Sequence, residues 1–301
     1  MIKVWTGAAE SGLLDRHGER GSTFAYLPDT PATRAVSLTM PVRLPSWSVN
    51  FGLPPIFEMN LPEGFLRERL RLAFAKATGS FDEFDLLSIV GRSQVGRICY
   101  TGDKEHLNED VPFQSVDEIL EHGRGDDLFR YLLEKFASFS GISGVQPKIL
   151  VRDENAFTEM EQTGHCLSPS YRGATHIVKL WEPNEYPQLA ANEYFCLMAA
   201  RKLGLDVPPV RLAEDGMALV IDRFDLRMDG TYRGFEDFCA LNARRTDEKY
   251  RGSYETHVMK RLSQFANSTH VNQDLEKLFV LIALNCALRN GDAHLKNLDR
   301  L

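Results

Sequence analysis

Asp292 and Asn297 lie in the stretch "RNGDAHLKN", Arg289 to Asn297. A carboxylate that takes a hydroxyl proton and an amide oxygen that holds Mg²⁺ share one loop at this spacing, D-x-x-x-x-N, in protein kinases. The apolar run Leu278–Leu288 just ahead reads as a buried helix that presents the loop, with Gly291 as its left-handed stop. Asp and Asn near a helix end also serve as caps and turn formers, so the pair alone does not name the chemistry. His294, between them, is either a phosphate contact or a half-exposed loop histidine.

Phosphoryl transfer needs further parts, and the chain offers a counterpart for each. "SGISGVQPK" carries Gly141 and Gly144 into the strand "KILVR" and could drape backbone over phosphates, or simply turn tightly. Lys179 in "HIVKLW" sits on a strand face with Ile177, where an ammonium needs an anion unless it snorkels to water. Glu193 in "LAANEYF" follows in the first turns of a helix, positioned to pair with Lys179 or to serve as an ordinary helix-start acid. "LVIDRFD", Leu219 to Asp225, joins strands to a helical region, as a hinge or as any strand end would. Glycine loop, strand lysine, helix glutamate, hinge and D-x-x-x-x-N come in the order a two-lobed kinase requires. Five independent coincidences in that order are less probable than any one alternative.

The elements that must position these residues fall into three stretches. "IKVWTG", "SGLLDRHG" and "GSTFAYL" alternate strand-like runs with glycine turns, the pattern of a small antiparallel module. Proline-rich loops follow, and then a helix from Pro62-Glu63 through "GFLRERLRLAFAKA". An acid-rich polar stretch marks a boundary near residue 105. Residues 106–224 read as a mixed sheet flanked by one long helix, and residues 225–301 as helical: "EDFCALNA", "YETHVMKRLSQFA" and "QDLEKLFVLIALNCALRN". No internal repeat or low-complexity tract interrupts them.

Composition bounds the function. The 301 residues, 43% hydrophobic and 26% charged, make an ordinary globular chain rather than a disordered one or a repeat array. A net charge of −7 argues against nucleic-acid binding driven by overall charge. Five dispersed cysteines without a C-x-x-C pair suit reduced thiols rather than a disulfide framework or a zinc site. No signal-peptide pattern opens the chain, and no apolar run is long enough to span a bilayer, so the expectation is a cytoplasmic protein.

Together with "THIVKLW", "NEYFCLMAARKLGLDVPP", "EDFCALNARRTDEKY" and the N-terminal "SLTMPVR", "IFEMNLPEG" and "FDEFDLLSIVGRSQVGRI", these motifs resemble those of HipA-type serine/threonine kinases, the toxins of bacterial type II toxin–antitoxin modules. The resemblance runs over essentially the whole chain. It implies an α+β, two-lobed protein-kinase-like (HipA-like) fold, with a small β-rich N-terminal subdomain (1–105), an ATP-binding lobe (106–224) and an incomplete helical catalytic lobe (225–301). It further implies transfer of the ATP γ-phosphoryl to a protein hydroxyl, notably on aminoacyl-tRNA synthetases. A HipB-like helix-turn-helix antitoxin is the implied partner, with DNA met only through it and no membrane.

Carried over residue by residue, the resemblance makes Asp292 the catalytic base, Asn297 a Mg²⁺ ligand and Lys179 the lysine on the α- and β-phosphates of ATP. Asp222 and Phe224 would line the adenine end. Gly141, Ile142, Ser143, Gly144, Val145 and Gln146 would form the phosphate loop. Many family members autophosphorylate a serine in that loop; here Gly141 takes one such position, and Ser143, then Ser140, are the remaining candidates. A second Mg²⁺-binding aspartate comes well after the D-x-x-x-x-N loop in the family, whereas this sequence runs only to Leu301. A catalytically impaired module that docks an antitoxin or a separate C-terminal fragment is therefore the alternative expectation. In a molecule of these residues alone the helix at Leu278–Leu288 would expose apolar surface.

Overall fold

The computed structural model describes residues 1–78, 81–102, 104–107, 110–122, 126–153, 171–181 and 188–300. Cys166 and most of the polar insertion before "THIVKLW" lie outside them.

The N-terminal stretch forms a five-stranded antiparallel sheet in the order β4-β3-β2-β1-β5: β1 Ile2–Thr6, β2 Ala9–His17, β3 Gly21–Tyr26, β4 Trp47–Val49 and β5 Ile98–Gly102. Alternation in "IKVWT" buries Ile2, Val4 and Thr6 and leaves Lys3 and Trp5 partly exposed, which fixes the register. Phe24, Phe57 and Tyr100 meet edge to face across the core, with ring centroids 5.1 and 5.8 Å apart. The helix Gly64–Thr78 and the helix Glu83–Val90 cover the module, the latter opened by a reciprocal capping box between Asp82 and Asp85. "PSWSVNFG", read from its prolines as a loop, contributes the short edge strand β4.

A second antiparallel sheet runs β6-β7-β9-β8: β6 Lys148–Val151, β7 His176–Leu180, β8 Val210–Leu212 and β9 Ala218–Asp222. The helix Leu189–Lys202 packs on β8 and β9. β8 starts at Val210, after Pro208 and Pro209, which have no N–H to give a ladder. Ile149, Val151, Val178, Leu219 and Val220 are buried and continuous with the N-terminal core.

The remaining residues build a smaller helical core. Phe238, Leu241, Val258, Leu262, Leu278, Leu295 and Leu298 cluster there. A π-wound turn, Tyr254–Met259, leads into the helix Lys260–Phe265, and the helix Val271–Ala287 follows. Its Leu278 is buried, while Phe279 is 72% exposed. Where a helix was expected from Glu236, Glu236–Asp237 is instead a two-residue strand, β10, paired with β11, Asp299–Arg300. Only then does the helix Phe238–Leu241 begin, capped by the Asp237 carboxylate on the Ala240 N–H. The left-handed residue after the long helix is Arg289, φ 55°, and not Gly291. The helix ends at Ala287, so the reversal falls two residues before the place expected from glycine preference, and Asn290 N–H returns to the Asn285 carbonyl at 2.8 Å.

Candidate nucleotide site

Lys179 lies on β7, the second strand of its sheet, and ion-pairs with Glu193 from the helix Leu189–Lys202. Both side chains are largely withdrawn from water, at 18% and 26% exposure. Directly across the ladder from Lys179 on β6 is Lys148. Sequence reasoning passed over Lys148 because it closes the glycine motif as an ordinary strand-start lysine. Only the register, invisible in the linear sequence, reveals two ammonium groups side by side. Burial of its amine, reinforced by the Lys179 and Lys296 charges, pushes Lys148 down to about 7 despite the pull of Glu193 and Glu63.

The glycine loop lies beside these lysines. At Gly144, φ +128°, a Cβ would overlap the Lys148 ammonium, so backbone and amine touch only because the residue is glycine. Gln146 Nε2 is buried with no hydrogen-bond partner, and Val145 is exposed. Gly141 plays a different part. Its N–H donates to the Ser93 carbonyl at 2.9 Å and its carbonyl accepts from Val95 N–H at 3.2 Å, so it splices the loop onto the N-terminal module. Ser140 is fully buried; its hydroxyl donates to the Phe136 carbonyl at 2.7 Å and accepts from Leu150 N–H. Ser143 donates to Glu63 Oε1 at 2.7 Å, and the partly buried Ile142 bonds back to Ser140.

The Asp292 carboxylate is 65% exposed. Tyr250 donates its hydroxyl to Asp292 Oδ1 at 2.7 Å, and Asn297 Nδ2 donates to the Asp292 carbonyl at 2.6 Å and to Oδ2 at 3.1 Å. The acceptance of its proton by Asp292 raises the Tyr250 phenol above its ordinary range. His294 packs edge-on against Tyr250, 4.8 Å between ring centroids, with Nε2 3.6 Å from Asp292 Oδ1. Burial lowers its pKa more than Asp292 raises it, which favours the neutral ring.

Beneath this loop, Lys296 donates to the Met59 carbonyl at 2.6 Å and to Asp237 Oδ2 at 3.2 Å, with the Lys and Asp side chains 4% and 3% exposed. Leu295 and Leu298 are buried in the helical core. The loop is thus pinned on both sides, and Asp292 faces outward.

Asp222, at the end of β9, lies 3.3 Å from His176 Nε2, and Phe224 packs on Phe235 with centroids 5.4 Å apart. Between them Arg223 turns inward to a fully buried pair with Asp225.

Glu63 links the two halves. One oxygen takes the Ser143 hydroxyl and the other takes Lys249 Nζ, each at 2.7 Å. Lys249 precedes the Tyr250 that touches Asp292, and its carbonyl accepts from Leu295 N–H at 3.1 Å. The structure therefore brings the loop, Lys148, Lys179 and Glu193 together on one side, and Asp292, His294 and Asn297 on the other, with Glu63 joining them. Two cross-strand ammoniums, an orphaned amide and a glycine loop fit a polyphosphate, whose oxygens would neutralise the first and accept from the second.

Among the described residues no group of three or more His, Cys, Asp or Glu side chains could hold a metal ion. With its amide nitrogen engaged, Asn297 has its Oδ1 to offer a cation, a donor set that suits Mg²⁺ carried largely by phosphate oxygens and water. A separate groove of about 440 Å³ between the helices Gly64–Thr78 and Asp126–Phe136, lined by Leu70, Leu72, Phe74 and Leu133, contains none of these residues. No helix among the described residues is long and apolar enough to cross a membrane.

Known proteins resemble this chain in sequence and in fold. Residues 2–101 match the HipA N-terminal domain and residues 140–300 the HipA-like C-terminal domain. A putative kinase of Sinorhizobium fredii, Y4dM, is 28% identical over 264 residues, covering 82% of this chain and 58% of that protein. A putative kinase of Haemophilus influenzae is 27% identical, covering 66% of this chain and 55% of its own length. The chain thus spans little more than half of these two curated relatives; it spans 73% of a third, Y4mE of S. fredii, at 29% identity. HipA in a complex with HipB and operator DNA from Shewanella oneidensis has a similar fold, with a TM-score of 0.60 and 19% identity over 99% of this chain and 72% of that one.

Proposed function

Because the chain belongs to the HipA family, we propose that it is a Mg·ATP-dependent kinase that passes the γ-phosphoryl group to a serine or threonine hydroxyl of a protein. The substrate class we infer is one such as an aminoacyl-tRNA synthetase. The proposed partner is a HipB-like helix-turn-helix antitoxin that holds the toxin in check and supplies its only link to DNA. The observation that carries the reading is the cross-strand pair Lys148 and Lys179 beside the glycine loop. Like charges directly opposite on a sheet are unfavourable; Glu193 ion-pairs with Lys179, and its pull with that of Glu63 does not outweigh the burial of Lys148. A nucleotide's phosphates supply the missing charge.

In this reading Lys179, oriented by Glu193, and Lys148 neutralise the phosphates, with residues 141–146 over them. Asp222 and Phe224 line the adenine end, and His294, neutral, contacts a phosphate. Asp292 accepts the acceptor hydroxyl's proton; Asn297 holds Asp292 in place and offers Mg²⁺ an oxygen. When bound, Mg²⁺ offsets the phosphate charge. Ser143 is the loop serine proposed for autophosphorylation, since the Ser140 hydroxyl is buried between two backbone partners. Residues 1–105, 106–224 and 225–301 act as N-terminal, ATP-binding and catalytic units.

Incubation with γ-labelled ATP, Mg²⁺ and a panel of purified synthetases tests this. Label on serine or threonine of one of them, lost in Asp292→Asn, is the expected outcome. A non-catalytic docking module would transfer none and would show no Mg²⁺-dependent ATP affinity sensitive to Lys179→Ala.

A further inference from the structure

Resting on the kinase reading, we propose that Glu63 is a positioning residue through which the N-terminal module sets the glycine loop against the catalytic lobe. Both of its oxygens are committed, one to Ser143 of the loop and the other to Lys249. The Glu63 and Lys249 side chains are 17% and 11% exposed. Burial alone would raise the Glu63 carboxyl; the Lys249 and Ser143 bonds outweigh it and hold the group below its usual range, so it stays ionised. The next residue explains the fit. Gly64 has φ +51°, and a Cβ there would lie 2.5 Å from the Val145 carbonyl. The turn at 63–64 therefore seats directly on loop residues 143–145.

This arrangement has an electrostatic consequence. A carboxylate in contact with a phosphate-binding loop repels the nucleotide unless its charge is cancelled, and Lys249 cancels it. Removing Lys249 leaves a buried anion facing the phosphates. Removing the charge of Glu63 leaves a cation, which does not repel phosphate, and replaces the charge-assisted bond from Ser143 with a weaker neutral one. The two substitutions should thus be strongly non-additive, and in one direction only.

Calorimetric titration of the full chain with Mg·ATP tests the proposal in wild type, Lys249→Met, Glu63→Gln and the double variant. Lys249→Met should weaken binding about tenfold or more. The double variant should recover to within about threefold of Glu63→Gln, because the offending charge is gone. Without nucleotide, hydrogen–deuterium exchange of residues 141–147 should rise in Ser143→Ala and in Glu63→Gln. A double variant as weak as the product of the two single effects overturns the proposal, as does unchanged loop exchange in both Ser143→Ala and Glu63→Gln. Should Lys249→Met fail to fold, the exchange measurement on Ser143→Ala, which removes the hydroxyl that donates to Glu63, decides alone. If wild type binds no Mg·ATP, the kinase reading falls and takes this proposal with it; if it binds and no rescue appears, only the proposal falls.

Discussion

Lys148 and Lys179 stand opposite one another on adjacent antiparallel strands, and Glu193 ion-pairs with Lys179. Most of the site's expected behaviour follows from that excess of positive charge.

The Lys148 amine, pushed down to about 7, is half deprotonated near neutrality in the nucleotide-free protein. Phosphate oxygens favour the ammonium, so binding at pH 8 should take up close to one proton. Mg·ATP affinity should fall as pH rises above about 7, by up to about tenfold per unit. Calorimetry in two buffers of different ionisation enthalpy reads the proton count, and Lys148→Met should abolish both effects. Without nucleotide the sign reverses. The unfolded chain, with lysine at its ordinary 10.5, holds a proton that the folded chain lacks between about 7 and 10.5, so stability should rise with pH across that window.

Arg223 and Asp225 are fully buried, and Asp225 also accepts from Gly96 N–H at 2.6 Å while Arg223 donates to the Gln94 carbonyl at 2.6 Å. The pair ties the strand end at Asp222 to the N-terminal module. Asp225→Ala strands a buried guanidinium and should cost about 3–5 kcal/mol in urea unfolding. A loss below about 1 kcal/mol would show that water reaches the pair.

A Cβ at Gly141 would overlap the Gln94 amide and lie 2.6 Å from the Ser93 carbonyl. Gly141→Ser should therefore destabilise the fold by about 1–3 kcal/mol, and pairing it with Gln94→Ala should recover part of that loss. Thermal unfolding of the two variants checks this. An unchanged melting temperature in Gly141→Ser would mean the splice at Ser93–Val95 yields easily.

What the sequence revealed depended on how local the causes were. Strand alternation exposed the N-terminal sheet, and a separation of only fourteen residues put Lys179, on a strand, within reach of Glu193 on the helix that follows. Lys148 stayed hidden because its significance lies in β6–β7 register, set by long-range pairing across an insertion. Glu63 and Lys249 escaped for the same reason, being 186 residues apart. The strand at Glu236–Asp237 could not be read from its acids either, since it forms only when Asp299–Arg300 arrive beside it. At the end of the long helix, glycine preference pointed to Gly291, but the helix closes earlier, on a left-handed Arg289 whose N–H bonds the Cys286 carbonyl while Asn290 N–H bonds that of Asn285.

The central claim is that Lys179 and Asp292 serve one nucleotide from opposite sides. Parallel measurement of Mg·ATP affinity and of phosphoryl transfer in Lys179→Ala and Asp292→Asn tests it most directly. The account predicts that Lys179→Ala loses affinity, while Asp292→Asn binds nucleotide within about threefold of wild type and loses transfer by about 10²-fold or more. Nucleotide affinity untouched by Lys179→Ala, or transfer that survives Asp292→Asn, would contradict it.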